Sequence, residues 1–362
     1  MKKIVVTGTR GIPGILGGVE TVCEELYPRI AAQGYDITVI RRKSYVNDNL
    51  TEYKGVILAD LNAPKRKSFE AIVHTLRAIR MAKYRLKADI VHIHAIGPAL
   101  ATPYARLLGL KVVFTHHGPD YERDKWSKAA RIALRLGERF GVKCAGEVIV
   151  ISNVINDLVR KKYRRTDAHL IYNGTPEPHF IADTRYPVSL GLTPEHYLFT
   201  MGRLVPEKNF HQLIQAFAAI NDRHNCHLVI AGDADFEDRY SRELKNLAHR
   251  KGVILTGFIK GEKLHALLSH ARAFVLPSAH EGLPLSLLEA MSYGLPVLVS
   301  DIPAHLELNL PPDAYFPAGN EEKLTEKLRT LISETFIKST YPLDSYRWEN
   351  IAQQTMKVYE AM

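Results

Sequence analysis

Two glutamates flank a Gly-Leu-Pro step in HEGLPLSLLEAMSYGLPV, residues 280–297. Glu281 and Glu289 are eight positions apart. The apolar stretch 273–278 before them predicts a buried strand, and the residues after Pro284 predict a helix with that proline in its first turn. The first glutamate is therefore expected in a loop and the second inside a helix.

This strand-loop-helix arrangement could bind an anion. A helix N-terminus presents unpaired backbone N–H groups and the positive end of the helix dipole, which together favour a phosphate. The amides around Gly282 and Leu283 are expected to lie there, with Glu281 beside the anion and Glu289 further along the helix.

A second candidate element lies upstream in YLFTMGRLVPEKNFHQLIQAF, residues 197–217. A strand ending at Gly202 is followed by Arg203, a short loop and Lys208, and then by apolar residues at helical spacing. Loops of this kind form the ligand-binding edge of an open α/β sheet. Both side chains are suited to a diphosphate, because the planar guanidinium of Arg can donate two parallel hydrogen bonds and the ammonium of Lys is a compact positive charge.

Together these segments resemble the retaining GT-B glycosyltransferases of family 4 (glycosyl transferases group 1), of the bacterial polysaccharide-biosynthesis type. The resemblance spans the whole chain and rests most on the E-x7-E motif in order with the GRLVPEKN loop. It implies that Arg203 and Lys208 neutralise the diphosphate of a nucleotide sugar. It also implies that Glu289 binds the ribose hydroxyls and that Glu281 faces the transferred sugar.

The glycine-rich segment VTGTRGIPGILGGVE lies between the first predicted strand and helix. By the resemblance, Gly17 and Gly18 contact the donor phosphate or the acceptor. Glu20 lies early in the predicted helix, where it either interacts favourably with the helix dipole or contacts the acceptor.

KVVFTHHG, residues 111–118, ends another buried strand. The resemblance implies that His117 hydrogen-bonds the donor sugar, whereas His116 is expected to be packed. Asp120 and Tyr121 are candidate acceptor contacts, with capping of the loop as the alternative.

Three further positions close predicted strands of the second half, where the family holds the nucleotide base largely by backbone atoms. These donor-binding candidates are Gly202, Gly232 and Phe258. Because backbone atoms hold the base, the residue types do not indicate which base is bound.

Strand and helix patterns alternate from residue 3 onwards, which predicts parallel sheets with right-handed crossovers. The fold class is α/β: a GT-B arrangement of two Rossmann-like, doubly wound parallel-sheet domains facing a cleft. The expected boundaries are 1–178 for the acceptor-side domain, 179–344 for the nucleotide-sugar domain and 345–362 for a helix that returns to the first domain. The proline-containing stretch 175–197 is expected to connect the domains.

The positive charge is concentrated in the first half. The chain has a net charge of +9, and residues 1–180 carry 30 Lys and Arg against 17 Asp and Glu. Solvated helix faces explain part of this excess. The remainder predicts contact with an anionic membrane surface. No nucleic-acid-binding motif accompanies the charge, so nucleic acid is not an expected partner.

No cofactor or metal is expected. The three cysteines, Cys23, Cys144 and Cys226, are widely spaced, and no carboxylate completes a ligand set around His92 and His94. The lack of a long apolar run predicts a cytoplasmic protein, peripheral on the inner membrane leaflet.

The predicted function is retaining, metal-independent transfer of a hexosyl-type sugar from a nucleotide diphosphate sugar to a saccharide or lipid-linked saccharide. Two alternatives are a nonhydrolysing sugar-nucleotide epimerase and a catalytically silent nucleotide-sugar-binding partner protein. A dehydrogenase is a further alternative, because Arg41 and Arg42 follow the second strand and Tyr121 and Lys125 have Y-x-x-x-K spacing.

Overall fold

The computed structural model describes residues 2–64, 70–122, 126–220, 225–234 and 237–362. The chain forms two compact units. The first contains the residues up to Gly174 together with Ser345–Met362, and the second is Thr175–Asp344.

The first unit is built on an eight-stranded sheet. Its strands are β1 (Lys3–Thr7), β2 (Asp36–Arg42), β3 (Glu52–Tyr53), β4 (Val56–Leu61), β5 (Ile90–His94), β6 (Lys111–His116), β7 (Glu147–Val150) and β8 (His169–Leu170). The helices between them are α1 (Gly18–Ala31), α2 (Glu70–Met81), α3 (Thr102–Leu107), α4 (Lys128–Cys144) and α5 (Asn153–Tyr163). The strand order is β3-β4-β2-β1-β5-β6-β7-β8.

All neighbours in this sheet are parallel except β3 and β4. The antiparallel pair is a short hairpin that the strand pattern does not reveal, because β3 has only two residues. Lys54 and Gly55 both have positive φ and form its tight turn.

The second unit is built on a six-stranded, fully parallel sheet. Its strands are β9 (Tyr197–Met201), β10 (His227–Ala231), β11 (Ile254–Gly257), β12 (Ala273–Leu276), β13 (Val297–Ser300) and β14 (Tyr315–Phe316). Its helices are α6 (Arg185–Ser189), α7 (Phe210–Ala218), α8 (Arg239–Arg250), α9 (Glu262–His270), α10 (Leu285–Ser292), α11 (Pro303–Leu306) and α12 (Glu321–Ser333). The strand order is β11-β10-β9-β12-β13-β14.

Both sheets are doubly wound, as predicted, because the strand order reverses beside the first strand of each unit. In the first unit β1 lies between β2 and β5, and in the second β9 lies between β10 and β12. Ligands of open α/β sheets bind at the carboxyl ends of the strands at such switch points. The glycine-rich loop after β1 and the Arg203–Lys208 loop after β9 begin at these positions.

The segment 175–197 differs from the predicted connection, because it packs on the second unit. The amide of Ile181 donates to Ser269 Oγ at 2.9 Å, and the amide of His179 donates to Tyr293 OH at 3.1 Å. These anchors come from residues far along the chain, so the proline pattern alone could not indicate them.

The C-terminal helix, α13 (Trp348–Glu360), belongs to the first unit. Trp348 is buried against Gly174, where an added Cβ would lie 2.3 Å from the indole. Arg29 on α1 forms an ion pair with Glu349 at 2.9 Å. This packing brings Tyr359 into the interior of the unit.

Candidate active site

The cationic loop of the second unit is folded tightly over the end of β9. Lys208 ends a 3₁₀ turn, Pro206–Lys208, and its side chain crosses the backbone of Gly202. An added Cβ at Gly202 would lie 3.2 Å from Lys208 Cε. Arg203 lies in the same loop and is partly buried. A small residue at 202 therefore lets the lysine reach inward.

Lys208 and Glu281 form an ion pair. Lys208 Nζ lies 2.5 Å from Glu281 Oε1, and the two side chains are only 15% and 13% exposed. Ser278 Oγ donates to the same oxygen at 2.6 Å. Burial alone raises the pKa of Glu281, but the ammonium of Lys208 and the Ser278 hydroxyl hold it below its usual value. Glu281 is therefore a carboxylate at neutral pH.

The helix after Glu281 begins one residue later than predicted. Pro284 is the capping residue of α10 and not part of its first turn, because its extended ψ of 104° places it outside the helix. The first unpaired amides of the helix are thus those of Leu285 and Ser286. Gly282 and Leu283 lie in the preceding loop, and Glu289 lies in the second turn.

Glycines at the ends of three adjacent strands form the backbone edge beside this pair. An added Cβ at Gly232, which has φ of +132°, would lie 1.9 Å from the carbonyl oxygen of Gly202. The amide of Gly232 donates to Gly257 O at 2.8 Å. Phe258, the next residue, is 42% exposed, and Lys260 Nζ lies 5.8 Å from the centroid of its ring. Close approach of the strand ends thus requires glycine at 232.

Ser300 and His305 support this site, and the sequence analysis missed both. Ser300 Oγ donates to Ser278 O at 2.5 Å, and His305 Nδ1 donates to Ser300 O at 2.8 Å. Burial lowers the pKa of His305, against the opposing effect of Glu281. Neither residue belongs to a recognisable motif, since their role depends on β12 and β13 being neighbours.

In the first unit, Glu20 braces the glycine-rich loop. Its Oε1 accepts hydrogen bonds from the amide of Arg10 at 2.9 Å and from Thr9 Oγ1 at 3.2 Å. Its other oxygen lies where a Cβ at Gly17 would be, and Gly18 is the first residue of α1. With 6% exposure, Glu20 is placed to position the loop more than to contact an acceptor directly.

His116 is packed, as expected, and belongs to a buried charge cluster around Glu138. His116 Nε2 donates to Glu138 Oε1 at 3.0 Å, and its Nδ1 accepts from the amide of Gly118. Lys162 and Tyr163 also donate to this carboxylate. Burial opposes ionisation, yet the hydrogen bonds from His116, Lys162 and Tyr163 lower the pKa of Glu138 to about 2.

Tyr121 is held by the same cluster. It is 6% exposed, its OH donates to Glu138 Oε1 at 3.1 Å, and it accepts from Lys162 Nζ at 3.0 Å. These bonds favour the loop-anchoring role over direct acceptor contact. Asp120 precedes it in a 3₁₀ turn, and its charge partly offsets the lowering of the His117 pKa by burial.

His117 is linked to four buried aromatic side chains, of which two lie on β5 and one each on α1 and α13. Its Nε2 lies 2.9 Å from His94 Nδ1, and His94 Nε2 lies 2.5 Å from Tyr27 OH. Tyr27 OH and Tyr359 OH both approach His92 Nδ1, at 3.0 and 2.7 Å. Burial and the charge of His116 lower the pKa of His117 to about 4, despite Asp120. His117 is therefore neutral at neutral pH.

His92 Nε2 also lies 2.7 Å from Thr115 Oγ1, so hydrogen bonds occupy all the ring nitrogens of His92 and His94 and leave these histidines unsuited to a metal. In the described ranges, no group of three or more His, Cys, Asp and Glu side chains could hold a metal ion.

The dehydrogenase alternative loses its accessible cationic site, because Arg41 and Arg42 are both buried. Arg41 is 1% exposed and forms ion pairs with Asp60 at 2.7 Å and Asp48 at 2.9 Å. Its charge is thus neutralised inside the unit. Lys125 lies outside the described residues.

Comparison with known families matches both halves of the chain. The profile described as "Glycosyl transferases group 1" matches residues 184–346, and that described as "Glycosyltransferase Family 4" matches residues 16–177.

Two curated proteins are similar over most of their length. UDP-Gal:alpha-D-GlcNAc-diphosphoundecaprenol alpha-1,3-galactosyltransferase of Escherichia coli is 29% identical, over 83% of this chain and 80% of that protein. An uncharacterized glycosyltransferase of Methanocaldococcus jannaschii is 26% identical, over 99% and 98%.

Solved structures share the fold. Sucrose-phosphate synthase from Thermosynechococcus elongatus is 20% identical with a TM-score of 0.80, over 100% of this chain and 99% of that one. Anabaena HepE, solved in complex with UDP-glucose, is 18% identical with a TM-score of 0.81, over 100% of both chains.

Proposed function

The chain belongs to the group 1 glycosyltransferases, with the GT-B fold, and we propose that it transfers a hexosyl-type sugar, with retention, from a nucleotide diphosphate sugar. The acceptor in this proposal is a saccharide or lipid-linked saccharide used in cell-surface polysaccharide biosynthesis. The observation that carries the proposal is the Lys208–Glu281 pair at the switch point of the second sheet.

Departure of the nucleoside diphosphate builds negative charge on its oxygens, and fixed cations at that point lower the barrier. We assign this role to Lys208, Arg203 and the first amides of α10. Lys208 is positioned by its bond to Glu281, so it can meet the developing charge without reorganising. Side-chain cations supply the charge in this proposal, and no metal is required.

Glu281 orients the sugar in this mechanism and does not attack it. Its two hydrogen bonds, from Lys208 and Ser278, both end on Oε1. We assign Oε2 to a hydroxyl of the transferred sugar, and Glu289 to the ribose. A carboxylate engaged by an ammonium group is a poor nucleophile, which favours attack by the acceptor itself.

Retention then follows from attack on the same face. The bond between C1 and the diphosphate oxygen breaks, the bond between C1 and the acceptor oxygen forms, and the acceptor proton passes to the departing diphosphate. The transferred proton leaves the new glycosidic oxygen uncharged and reduces the negative charge of the departing diphosphate by one.

An anionic lipid surface is the proposed location of the acceptor, and the exposed face of α4 supports it. Four cations, Lys128, Arg135, Arg139 and Lys143, lie on one face with Ile132 and Leu136, which are 58% and 42% exposed. The single acidic residue of α4, Glu138, is buried. Cations interleaved with apolar side chains are typical of helices that lie on acidic membranes.

None of the helices in the described ranges is long and apolar enough to cross a bilayer. The similar Escherichia coli enzyme carries diphosphoundecaprenol, a lipid-linked diphosphate, in its name. We propose a lipid-linked acceptor by analogy with it.

The test is to incubate the full chain with UDP-, GDP-, ADP- and dTDP-sugars and to follow nucleotide release and sugar identity. Lipid-linked saccharides are then added as acceptors. The proposal is supported if nucleotide release depends on the acceptor and the new glycosidic bond has the same anomeric configuration as the donor. Sugar isomerisation without an acceptor would instead indicate an epimerase, and binding without turnover a silent partner protein.

A further inference from the structure

A hydrogen-bonded chain of side chains runs through the first unit from β6 to the loop that carries His117. Its members come from five places: Thr115 on β6, His92 and His94 on β5, Tyr27 on α1, Tyr359 on α13 and His117 itself. Except for Thr115, at 4%, and His117, which is partly exposed, these side chains are at most 1% exposed. Water is therefore not available to replace a wrongly directed hydrogen bond.

The direction of the chain is fixed at His92. Its Nδ1 faces two phenol oxygens, those of Tyr359 at 2.7 Å and Tyr27 at 3.0 Å. One N–H can be shared between two acceptors, but one imidazole lone pair cannot accept from two donors in the same direction. The Nδ1–H form of His92 is the one that satisfies both contacts, because it can donate to the two phenol oxygens, and its Nε2 then accepts from Thr115 Oγ1 at 2.7 Å.

The remaining protons follow from this assignment. Because Tyr27 accepts from His92, its only proton is directed to His94 Nε2, at 2.5 Å. His94 must then be protonated on Nδ1, which donates to His117 Nε2 at 2.9 Å. A neutral imidazole has one N–H, so the proton of His117 lies on Nδ1.

We propose that Tyr27 is a positioning residue that fixes the tautomer of His117, so that His117 offers an Nδ1–H donor to an oxygen of the substrate. An imidazole in this tautomer has no free lone pair at Nδ1, so it does not act there as a general base. The substrate contact rests on the proposed transferase function, whereas the tautomer is a property of the protein alone.

The burial of the chain keeps it neutral, which the tautomer assignment requires. Burial, and the positive charge that His117 acquires only in acid, lower the pKa of His92 to about 3, and burial with both neighbouring histidines lowers the pKa of His94. The tyrosine hydroxyls stay protonated, since burial raises the pKa of Tyr27 and of Tyr359.

The test measures the tautomers directly by long-range ¹⁵N–¹H correlation spectra of the full chain labelled at histidine, at neutral pH. Loss of one signal set in H117N assigns His117. The expected result is Nδ1–H at His92, His94 and His117. An Nε2–H form of His117 in the wild-type protein would overturn the proposal.

Tyr27→Phe and Tyr359→Phe form a matched pair, because each removes one buried phenol hydroxyl from the same cluster. In Y27F neither tautomer of His94 finds a partner at Nε2, so His117 is expected to become a mixture of both forms. In Y359F the oxygen of Tyr27 still accepts from His92, and His117 is expected to stay Nδ1–H. An unchanged spectrum in Y27F would show that Tyr27 does not set the tautomer.

Transfer activity gives a second readout. Y27F is expected to lower kcat about three- to tenfold, the effect of one weakened hydrogen bond, and Y359F to leave it near wild type. Equal losses in both variants would indicate a merely structural role. If the wild-type chain showed no transfer at all, the proposed function would fail while the tautomer assignment would stand on the spectra.

Discussion

Lys208 Nζ lies 2.5 Å from Glu281 Oε1, although 73 residues separate them in the chain. They meet because β9 and β12 are neighbours at the point where the strand order of the second sheet reverses. The pair holds a cation in place with little exposure to water. It thereby joins two motifs that the sequence presents separately.

Replacing Lys208 by Ala is expected to lower kcat/KM by two to three orders of magnitude, since one lost donor to developing charge costs about 3 to 4 kcal/mol. Arg203→Ala is expected to act in the same direction. Steady-state kinetics with the preferred donor measure the effect. The exposed Lys251→Ala is the control, and turnover near wild type in K208A would contradict the assignment.

K208A is also expected to lower the melting temperature, because it leaves the Glu281 carboxylate buried without its counter-ion. The double variant K208A/E281Q should recover part of this loss, since the glutamine carries no charge, but none of the activity. Calorimetry separates the two effects. Equal melting temperatures in K208A and the wild type would show that the pair does not contribute to stability.

Transfer is expected to continue unchanged in excess EDTA, because Arg203, Lys208 and helix amides supply the positive charge. Nucleotide release measured before and after chelation tests this prediction. A loss of activity that only Mg²⁺ or Mn²⁺ restores would reject metal-independent catalysis.

Arg139→Glu/Lys143→Glu is expected to weaken binding to vesicles containing an anionic lipid by at least about tenfold, since each cation near an acidic surface contributes about 1 kcal/mol. Co-sedimentation with phosphatidylcholine vesicles, with and without phosphatidylglycerol, measures it. Arg250→Glu/Lys251→Glu makes the same charge change on exposed residues of the second unit. Equal binding by both variants, or wild-type binding indifferent to lipid charge, would remove the basis for the α4 surface.

His74 makes the first unit sensitive to acid. Burial, with the charges of Arg42 and Arg77, lowers its pKa to about 4 in the folded protein, against about 6.5 in an unfolded chain. The unfolded state therefore binds the proton more readily between these values. The stabilising contribution is complete above pH 6.5 and is lost as the pH falls towards 4.

The wild-type chain is accordingly expected to lose stability between pH 7 and pH 5.5 more steeply than H74Q, by up to about 1.4 kcal/mol per pH unit. Urea unfolding at both pH values measures the difference. The exposed His249→Gln should behave as the wild type does. Parallel losses in H74Q and the wild type would show that His74 is not the group responsible.

Much of the architecture could be predicted because it is encoded locally. Apolar runs such as KVVFTH and AFVL specify strands, and the spacing of Phe210, Leu213, Ile214 and Phe217 specifies the buried face of α7, as the structure confirms. Alternation of the two patterns implies parallel sheets. The two-residue strand β3 and the packed segment 175–197 could not be found this way, because too few residues carry a periodic signal.

The candidate site was only partly accessible from sequence. Loops after β1, β6, β9 and β12 could be placed at the ligand edge from their positions after strands. The sequence could not predict that Ser300 and His305 support the site. It also could not predict that Glu20 and Tyr121 hold loops in place inside the first unit. Those roles depend on which strands are neighbours and on how deeply each loop is buried.

The sequence by itself determined the alternating elements, the positions of the strand-to-helix loops and the residue types available at them, because these depend on neighbours along the chain. Only the tertiary structure decided that Lys208 meets Glu281, and that His117 is connected through His94 and Tyr27 to Tyr359 near the C-terminus. The physical reason is that such contacts depend on strand order and register. Many sequences with the same hydrophobic pattern would form the same strands and helices, but the pattern does not specify which side chains come into contact.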